Sequence, residues 1–277
     1  MTDDPESFYT DDFMFDIMGV KTLPTTLFQY TSIGSLGKIL ASRSLRFSRL
    51  DTMNDPEEAT SADVPLAATS VFVSCWSADK VERIPMWSMY GAHFEGVRIG
   101  LPINMFAGRK TPKVFEKGGA FSSFSGQFSI VRKEPAMGAN GRCIIGPNKI
   151  WYSDDPKYRN RKLVHRTEGK AHFTPYDLGM VKSTYWAYEE EWRFKIAAVS
   201  TETQFPDDRY FNEVTLDLAN FPVETEALFV PLDPTALDEL EVIVGPRAGT
   251  KVIAELEHIL GDHAPQAKLT QSQIAFR

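Results

Sequence analysis

The 277-residue chain is 43% hydrophobic and 12% aromatic, enough apolar side chain for a substantial core in one large domain or two small ones. Thirty bases against thirty-seven acids leave a formal net charge of −7, which argues against general affinity for nucleic acid or anionic membrane while permitting a local basic patch. No apolar run approaches the ~18 residues of a membrane span. Met1 to Met18 holds six acids and no base, the reverse of a secretory leader. Cys75 and Cys143 stand in no CxxC or His pattern that suggests zinc, so the expectation is free thiols in a reducing cytoplasm, with no metal and no membrane.

Residues 1–22 mix those acids with Phe8, Tyr9, Phe13, Phe15 and Ile17 and are expected to form an acidic arm that docks its aromatics on the body, residues 23–277. The body opens with Leu27-Phe28-Gln29-Tyr30-Thr31, rich in β-formers, followed by Ser32 in N-cap position before Ile33, Leu36, Ile39 and Leu40 on one helical face. Leu45 to Leu50 alternates apolar and polar residues as a half-buried strand does, and Asn54-Asp55-Pro56 takes the chain out of the sheet into an acidic loop. Val71 to Ser77 predicts a central strand. Pro85 opens a short helix carrying Met86, Trp87 and Tyr90, which Gly91 ends, and Gly96 to Leu101 predicts a further strand.

Residues 103–147 hold much Gly, Ser and Pro and are read as strands or loops. Lys149 to Ser153 predicts a strand and Asp154-Asp155-Pro156 a turn. Between residues 157 and 170, Lys157, Arg159, Arg161, Lys162, Arg166 and Lys170 face one acid, Glu168. This is either a solvated surface or a patch for phosphate, RNA or another nucleic acid or protein acceptor. Glu213 to Leu218 and Glu241 to Pro246 are strand-like. Thr250 is expected to cap a helix stopped by Gly261, and Gln273 to Phe276 to add a last strand. With no internal repeat and no long linker, the fold class is α+β, a single domain with a mixed, mostly antiparallel β-sheet core flanked by short helices.

The densest chemistry lies between Lys182 and Ile196. If the chain is extended from Glu189 onward, Glu189, Glu191 and Arg193 share one face at spacings of about 6–7 Å, while Glu190, Trp192 and Phe194 take the other. Two readings are open. The shared face lines a cleft and holds a polar ligand, or Glu189 with Arg193, or Glu191 with Arg46, forms a buried ion pair while Trp76, Trp87, Trp186 and Trp192 build the core. Asn54 and Asp55 either satisfy backbone groups in their turn or face a ligand. Cys75, beside Trp76 in an apolar run, is expected to be buried and inert.

Taken in order, Tyr30-Thr31-Ser32-Ile33, Leu45-Arg46-Phe47-Ser48, Asn54-Asp55-Pro56-x-Glu58, Val73-Ser74-Cys75-Trp76-Ser77, Met86-Trp87-Ser88-x-Tyr90-Gly91, Gly96-Val97-Arg98-Ile99, Trp186-Ala187-Tyr188-Glu189-x-Glu191-Trp192-Arg193 and Val244-Gly245-Pro246 resemble a bacterial family catalogued as domain of unknown function 2971. Thr31 departs from it, standing where the family commonly carries Arg. More distantly, a strand with aromatic and hydroxyl residues, a helix, a second strand and a late Glu-x-Glu resemble the block order of ADP-ribosyltransferases and their RNA-modifying relatives. That resemblance implies an ADP-ribosyltransferase-like fold and an enzyme, a toxin or phage-defence effector, that uses NAD as substrate. It implies Tyr30, Thr31 and Ser32 lining the ribose, Trp87 or Tyr90 stacking on nicotinamide, and Glu191 as the catalytic carboxylate with Glu189 beside it. A carboxylate so placed stabilises positive charge on the sugar, its neighbour activates a water or acceptor, and Arg193 grips a pyrophosphate. The alternative is a non-catalytic module that binds a nucleotide, a small molecule or a protein partner in the same cleft.

Overall fold

Residues 13–108, 129–131, 144–167, 170–200 and 222–276 are described by a computed structural model, and they build a mixed, mostly antiparallel open sheet with a few short helices. β1 (Thr26–Thr31) turns Leu27, Phe28 and Tyr30 into the interior. Ser32 then caps α1 (Ile33–Ser42), its hydroxyl accepting from the Ser35 N–H at 3.1 Å, and Ile33, Leu36 and Leu40 enter the core as the helical spacing predicts. β2 (Ser44–Arg49) buries Leu45 and Phe47. Asp55 caps a 3₁₀ turn, Pro56–Ala59, accepting from the Glu57 N–H at 3.0 Å. β3 (Val71–Ser77), α2 (Ile84–Met89) and β4 (Val97–Pro102) follow.

After β5 (Ser129–Val131) come β6 (Ile144–Lys149), β7 (Trp151–Tyr152), α3 (Pro156–Arg159), and the hairpin of β8 (Val164–Thr167) and β9 (Lys170–Phe173). β10 (Val181–Lys182) and β11 (Glu191–Ser200) lead to β12 (Ala227–Pro231), α4 (Pro234–Asp238), β13 (Glu241–Val244), α5 (Thr250–His263) and β14 (Lys268–Gln271). The main sheet runs β12-β2-β3-β1-β4-β13-β14, with β11 on the other edge of β3, pairing Glu191 with Ser77 through to Ala197 with Val71. β3 is thus central, as its apolar run predicts. Its first edge is shared: β2 pairs at Phe72 and Val73, β1 at Ser77. Where those two strands part, the Gln29 side chain spans the gap and donates to the Cys75 carbonyl at 2.9 Å. In the core Phe106 meets Phe194 edge to face at 4.9 Å between centroids and lies tilted against Phe47 at 5.4 Å.

Four predicted boundaries change. The strand expected over 149–153 breaks at Ile150, whose N–H bonds the Glu191 carbonyl at 2.9 Å while that of Trp151 turns to Met180 at 2.9 Å; the chain changes partners there, from β11 to β10. Gly249 occupies the cap of α5, with Thr250 its first helical residue. The helix runs through Gly261, since one glycine costs a helix only about 1 kcal/mol and Leu256 and Leu260 are buried. The last strand is Lys268–Gln271 rather than 273–276, because Glu82 takes the Ser272 hydroxyl and the Gln273 N–H. Of the arm, Met14 is buried, Phe15 packs on the core and Ile17 is exposed. Phe8, Tyr9, Cys143 and the strand expected over 213–218 lie outside the described residues.

Candidate functional site

The dense stretch is not extended from Glu189. Thr184–Glu189 is a 3₁₀ turn, fixed at its start by Asp154, whose carboxylate accepts from the Ser183 hydroxyl at 2.8 Å and the Thr184 N–H at 3.0 Å. Glu190 follows with φ 45°, in the left-handed region, and β11 begins only at Glu191. Glu190 therefore does not join Trp192 and Phe194 in the core, as strict alternation predicted; its carboxylate lies half-exposed, 3.7 Å from Lys149 Nζ. Glu189 and Glu191 nevertheless meet, because the buried Lys182 joins them, Nζ lying 2.6 Å from Glu189 Oε2 and 3.2 Å from Glu191 Oε2.

Arg193 completes a chain of charges. Its Nε and Nη2 grip Glu191 bidentately at 2.5 and 3.0 Å. Nη1 lies 2.6 Å from Glu58 Oε2 and donates to the Gly179 carbonyl at 2.8 Å. Gly179 has φ 63°, and a Cβ there would lie 2.9 Å from Arg193 Nη1 and 2.8 Å from Leu50; only glycine combines that backbone with that approach. Lys195, fully buried, donates to the Tyr176 and Leu178 carbonyls at 2.8 and 2.5 Å, so two cations of β11 hold the loop before β10. At the other end, the Tyr90 hydroxyl donates to Glu189 Oε1 at 2.6 Å and accepts from Asn54 Nδ2 at 3.3 Å. The series Glu58, Arg193, Glu191, Lys182, Glu189, Tyr90 thus runs from the buried turn after β2 to the half-exposed end of α2.

Electrostatics separates the two glutamates. Burial raises both carboxyl pKa values, but at Glu191 the charges of Arg193 and then Lys182 outweigh it and hold the group down to about 2. At Glu189 burial and the Glu191 charge prevail over Lys182, and the pKa rises to about 7. Burial also raises Glu58, against the pull of Arg193. Cys75, expected to be buried, is partly buried in β3, and its thiol is pushed well up by burial and by the Glu191 charge.

The structure therefore brings together Glu189, Glu191, Arg193, Tyr90 and Asn54, but buries Glu189, Glu191 and Arg193 alike instead of lining a cleft with them, leaving the half-exposed Tyr90 and the exposed Asn54 as the outer end of the group. Both ion-pair partners suggested by sequence are corrected: Glu191, not Glu189, takes Arg193, and Arg46 is exposed on β2. Tyr30 packs edge-on against Trp87 at 4.9 Å, its hydroxyl accepting from the Arg83 N–H at 3.2 Å. Thr31 ends β1, and Ser32 and Asp55 are committed to caps. Trp87 is fully buried, its Nε1 donating to Glu82 at 2.9 Å. Trp76 and Trp192 are core residues, whereas Trp186 is half-exposed over Lys182 at 4.7 Å. Lys182 and Glu58 were not assigned roles by sequence. Glu58 stands in the Asn54-Asp55-Pro56-x-Glu58 block, which reads as a turn; Lys182 lies on a two-residue strand too short for periodicity to reveal. Among the described residues no group of His, Cys, Asp and Glu is arranged to hold a metal ion, and no helix is long and apolar enough to cross a membrane.

Fold and cluster define a mixed α+β protein whose central strands enclose a chain of alternating acids and bases. Residues 86–194, from α2 into β11, match the family described as protein of unknown function (DUF2971), in keeping with the resemblance carried by the sequence blocks in that stretch. No curated protein and no solved structure matches it.

Proposed function

We propose that this chain is an ADP-ribosyltransferase-like enzyme that takes NAD at the Tyr90–Glu189 corner, with Glu189, rather than Glu191, as the carboxylate that meets the substrate. The observation that carries this is the division of labour between the two glutamates: Glu191 is locked by Arg193, while Glu189 titrates near neutrality and reaches the half-exposed Tyr90. Groups whose environments drive their pKa values apart are suited to acid and base roles. In the reaction the bond between ribose C1′ and the nicotinamide nitrogen breaks, the electron pair leaving with neutral nicotinamide. The ribosyl cation is captured by an acceptor hydroxyl or water, whose proton passes to ionised Glu189. With its pKa raised to about 7 by burial and by the Glu191 charge, Glu189 can take up and release a proton near neutrality. Tyr188 offers a flat surface for the nicotinamide or adenine ring. The setting this reading implies is a toxin or phage-defence effector in a bacterial cytoplasm.

A second reading, a non-catalytic nucleotide- or partner-binding module, is favoured by the burial of Glu191 and Arg193, which are committed to each other and to the fold rather than to a ligand. Nicotinamide release from NAD, followed by chromatography, separates the two. Release that is lost in Glu189→Gln supports the enzyme. NAD binding by calorimetry without release supports the module, and neither binding nor release ends both nucleotide readings.

A further inference from the structure

Beside Glu189 the surface concentrates partly exposed aromatic side chains. β10 runs parallel to β7, pairing Val181 with Trp151 and Lys182 with Tyr152. The Ser153 N–H bonds the Lys182 carbonyl at 2.9 Å, and Asp154 holds the start of the Thr184–Glu189 turn. Residues 151–159 and 181–188 therefore lie side by side. This brings Trp151 and Tyr158, whose rings are 4.5 Å apart, next to a turn bearing Tyr185, Trp186 and Tyr188. Tyr185 is 86% exposed and the other four rings are half-buried, so flat faces stand at the surface.

Cations alternate with these rings. Lys157 sits 4.4 Å over Tyr158 and 3.8 Å from Asp155; Lys149 lies 3.7 Å from Glu190. Such long, solvated ion pairs contribute little, and a phosphate can take the place of the carboxylate. Arg159 borders the same strip, paired with Glu57. Rings that tolerate any base, interleaved with cations that track a backbone, are the elements of single-strand binding. A duplex, with its bases already stacked and paired, has no free base face to offer them.

We propose that Trp151, Tyr158, Tyr185 and Trp186, with Lys149 and Lys157, bind single-stranded nucleic acid, and that this strand is the acceptor delivered to Glu189. The acceptor role rests on the NAD reading; the binding does not. With Lys149, Lys157 and Arg159 as the cations of the strip, about two to three phosphate contacts give a log–log salt slope of roughly −1.4 to −2.

The test is fluorescence anisotropy of a labelled oligothymidylate of about 12 nucleotides, without NAD, over a salt series from about 50 mM. Saturable binding is expected, weakened about tenfold in Tyr185→Ala and further with Trp186→Ala, with a flatter salt slope in Lys149→Gln/Lys157→Gln. Tyr185 is too exposed for its loss to unfold the chain, which circular dichroism checks. Absence of saturable binding overturns the proposal, as does binding unchanged in Tyr185→Ala. Equal competition by polyglutamate also overturns it, assigning the strip to an acidic protein. Nicotinamide release is measured separately. Strand binding without release upholds the site and overturns the acceptor role; release without strand binding upholds the NAD reading and overturns this one.

Discussion

Replacing Arg193 by leucine tests whether the charge chain holds the fold. The guanidinium is fully buried between Glu191, at 2.5 and 3.0 Å, and Glu58, at 2.6 Å, and also caps the Gly179 carbonyl. Without it Glu58 loses its counter-charge in a site 3% exposed, and Glu191 keeps only Lys182. Breaking a buried pair from one side costs about 3–5 kcal/mol, which for a chain of this size lowers Tm by roughly 6–20 °C. The cost depends on pH in a definite sense. In Arg193→Leu both carboxyls have folded pKa values above their unfolded ones, so the native state holds protons more tightly and regains stability as pH falls. Urea unfolding at pH 7.5 and pH 5 is the assay, with linear extrapolation at each. The deficit is expected in full at pH 7.5 and visibly smaller at pH 5, and Glu58→Gln in the same background recovers part of it. A deficit below about 1 kcal/mol at pH 7.5, or one equal at both pH values, would refute the assignment of these residues to one buried network.

Glu189, with its pKa raised from 4.5 to about 7, contributes stability that is complete below about pH 4.5 and lost as pH rises through 7. The stability difference between wild type and Glu189→Gln is therefore expected to fall by about 1–3 kcal/mol between pH 5 and pH 8; a constant difference contradicts it. Gly179→Ala is expected to cost about 1–3 kcal/mol, because the positive φ and the approach to Arg193 and Leu50 both resist a Cβ; thermal unfolding checks this, and an unchanged Tm removes the close approach. Cys75, with its thiolate disfavoured by burial and by Glu191, should react with a maleimide at least about a hundredfold more slowly in folded Cys143→Ser than in the same chain in urea. Equal rates would mean that the thiol is open to solvent.

Much of the framework was legible where local pattern and tertiary demand agree. The Ser32 cap with its apolar helical face, the alternation of β2, and the continuous apolar run of β3 each bury what their periodicity selects. Failures fall where a short segment answers to a distant partner. Ile150 and Trp151 divide between β11 and β10, and Glu190 turns left-handed so that β11 can start under Tyr152, whose hydroxyl accepts from the Glu191 N–H at 3.0 Å. At the site, sequence identified the acids and Arg193, but spacing alone did not reveal which acid the arginine takes. That choice depends on Gly179 and Glu58, brought in from two other segments.

The two readings of the Glu-rich stretch, buried ion pair and reactive site, are not exclusive. Glu58, Glu191 and Glu189 supply three carboxylates against two cations, Arg193 and Lys182; the third, Lys195, is spent on carbonyls and held well below its usual pKa by burial and by Arg193. One negative charge is left in excess. The proton that would cancel it does not settle on Glu191, where the bidentate guanidinium makes ionisation strongly favourable, so it falls to the ends of the chain. Burial raises Glu58 as well, while Glu189 is in hydrogen-bond contact with the half-exposed Tyr90, which in turn accepts from Asn54. The same pairing that makes Glu191 structural thus leaves Glu189 as the carboxyl that gains and loses its proton near pH 7. A mutation at Glu191 should therefore shift the titration of Glu189, the group it contacts through Lys182.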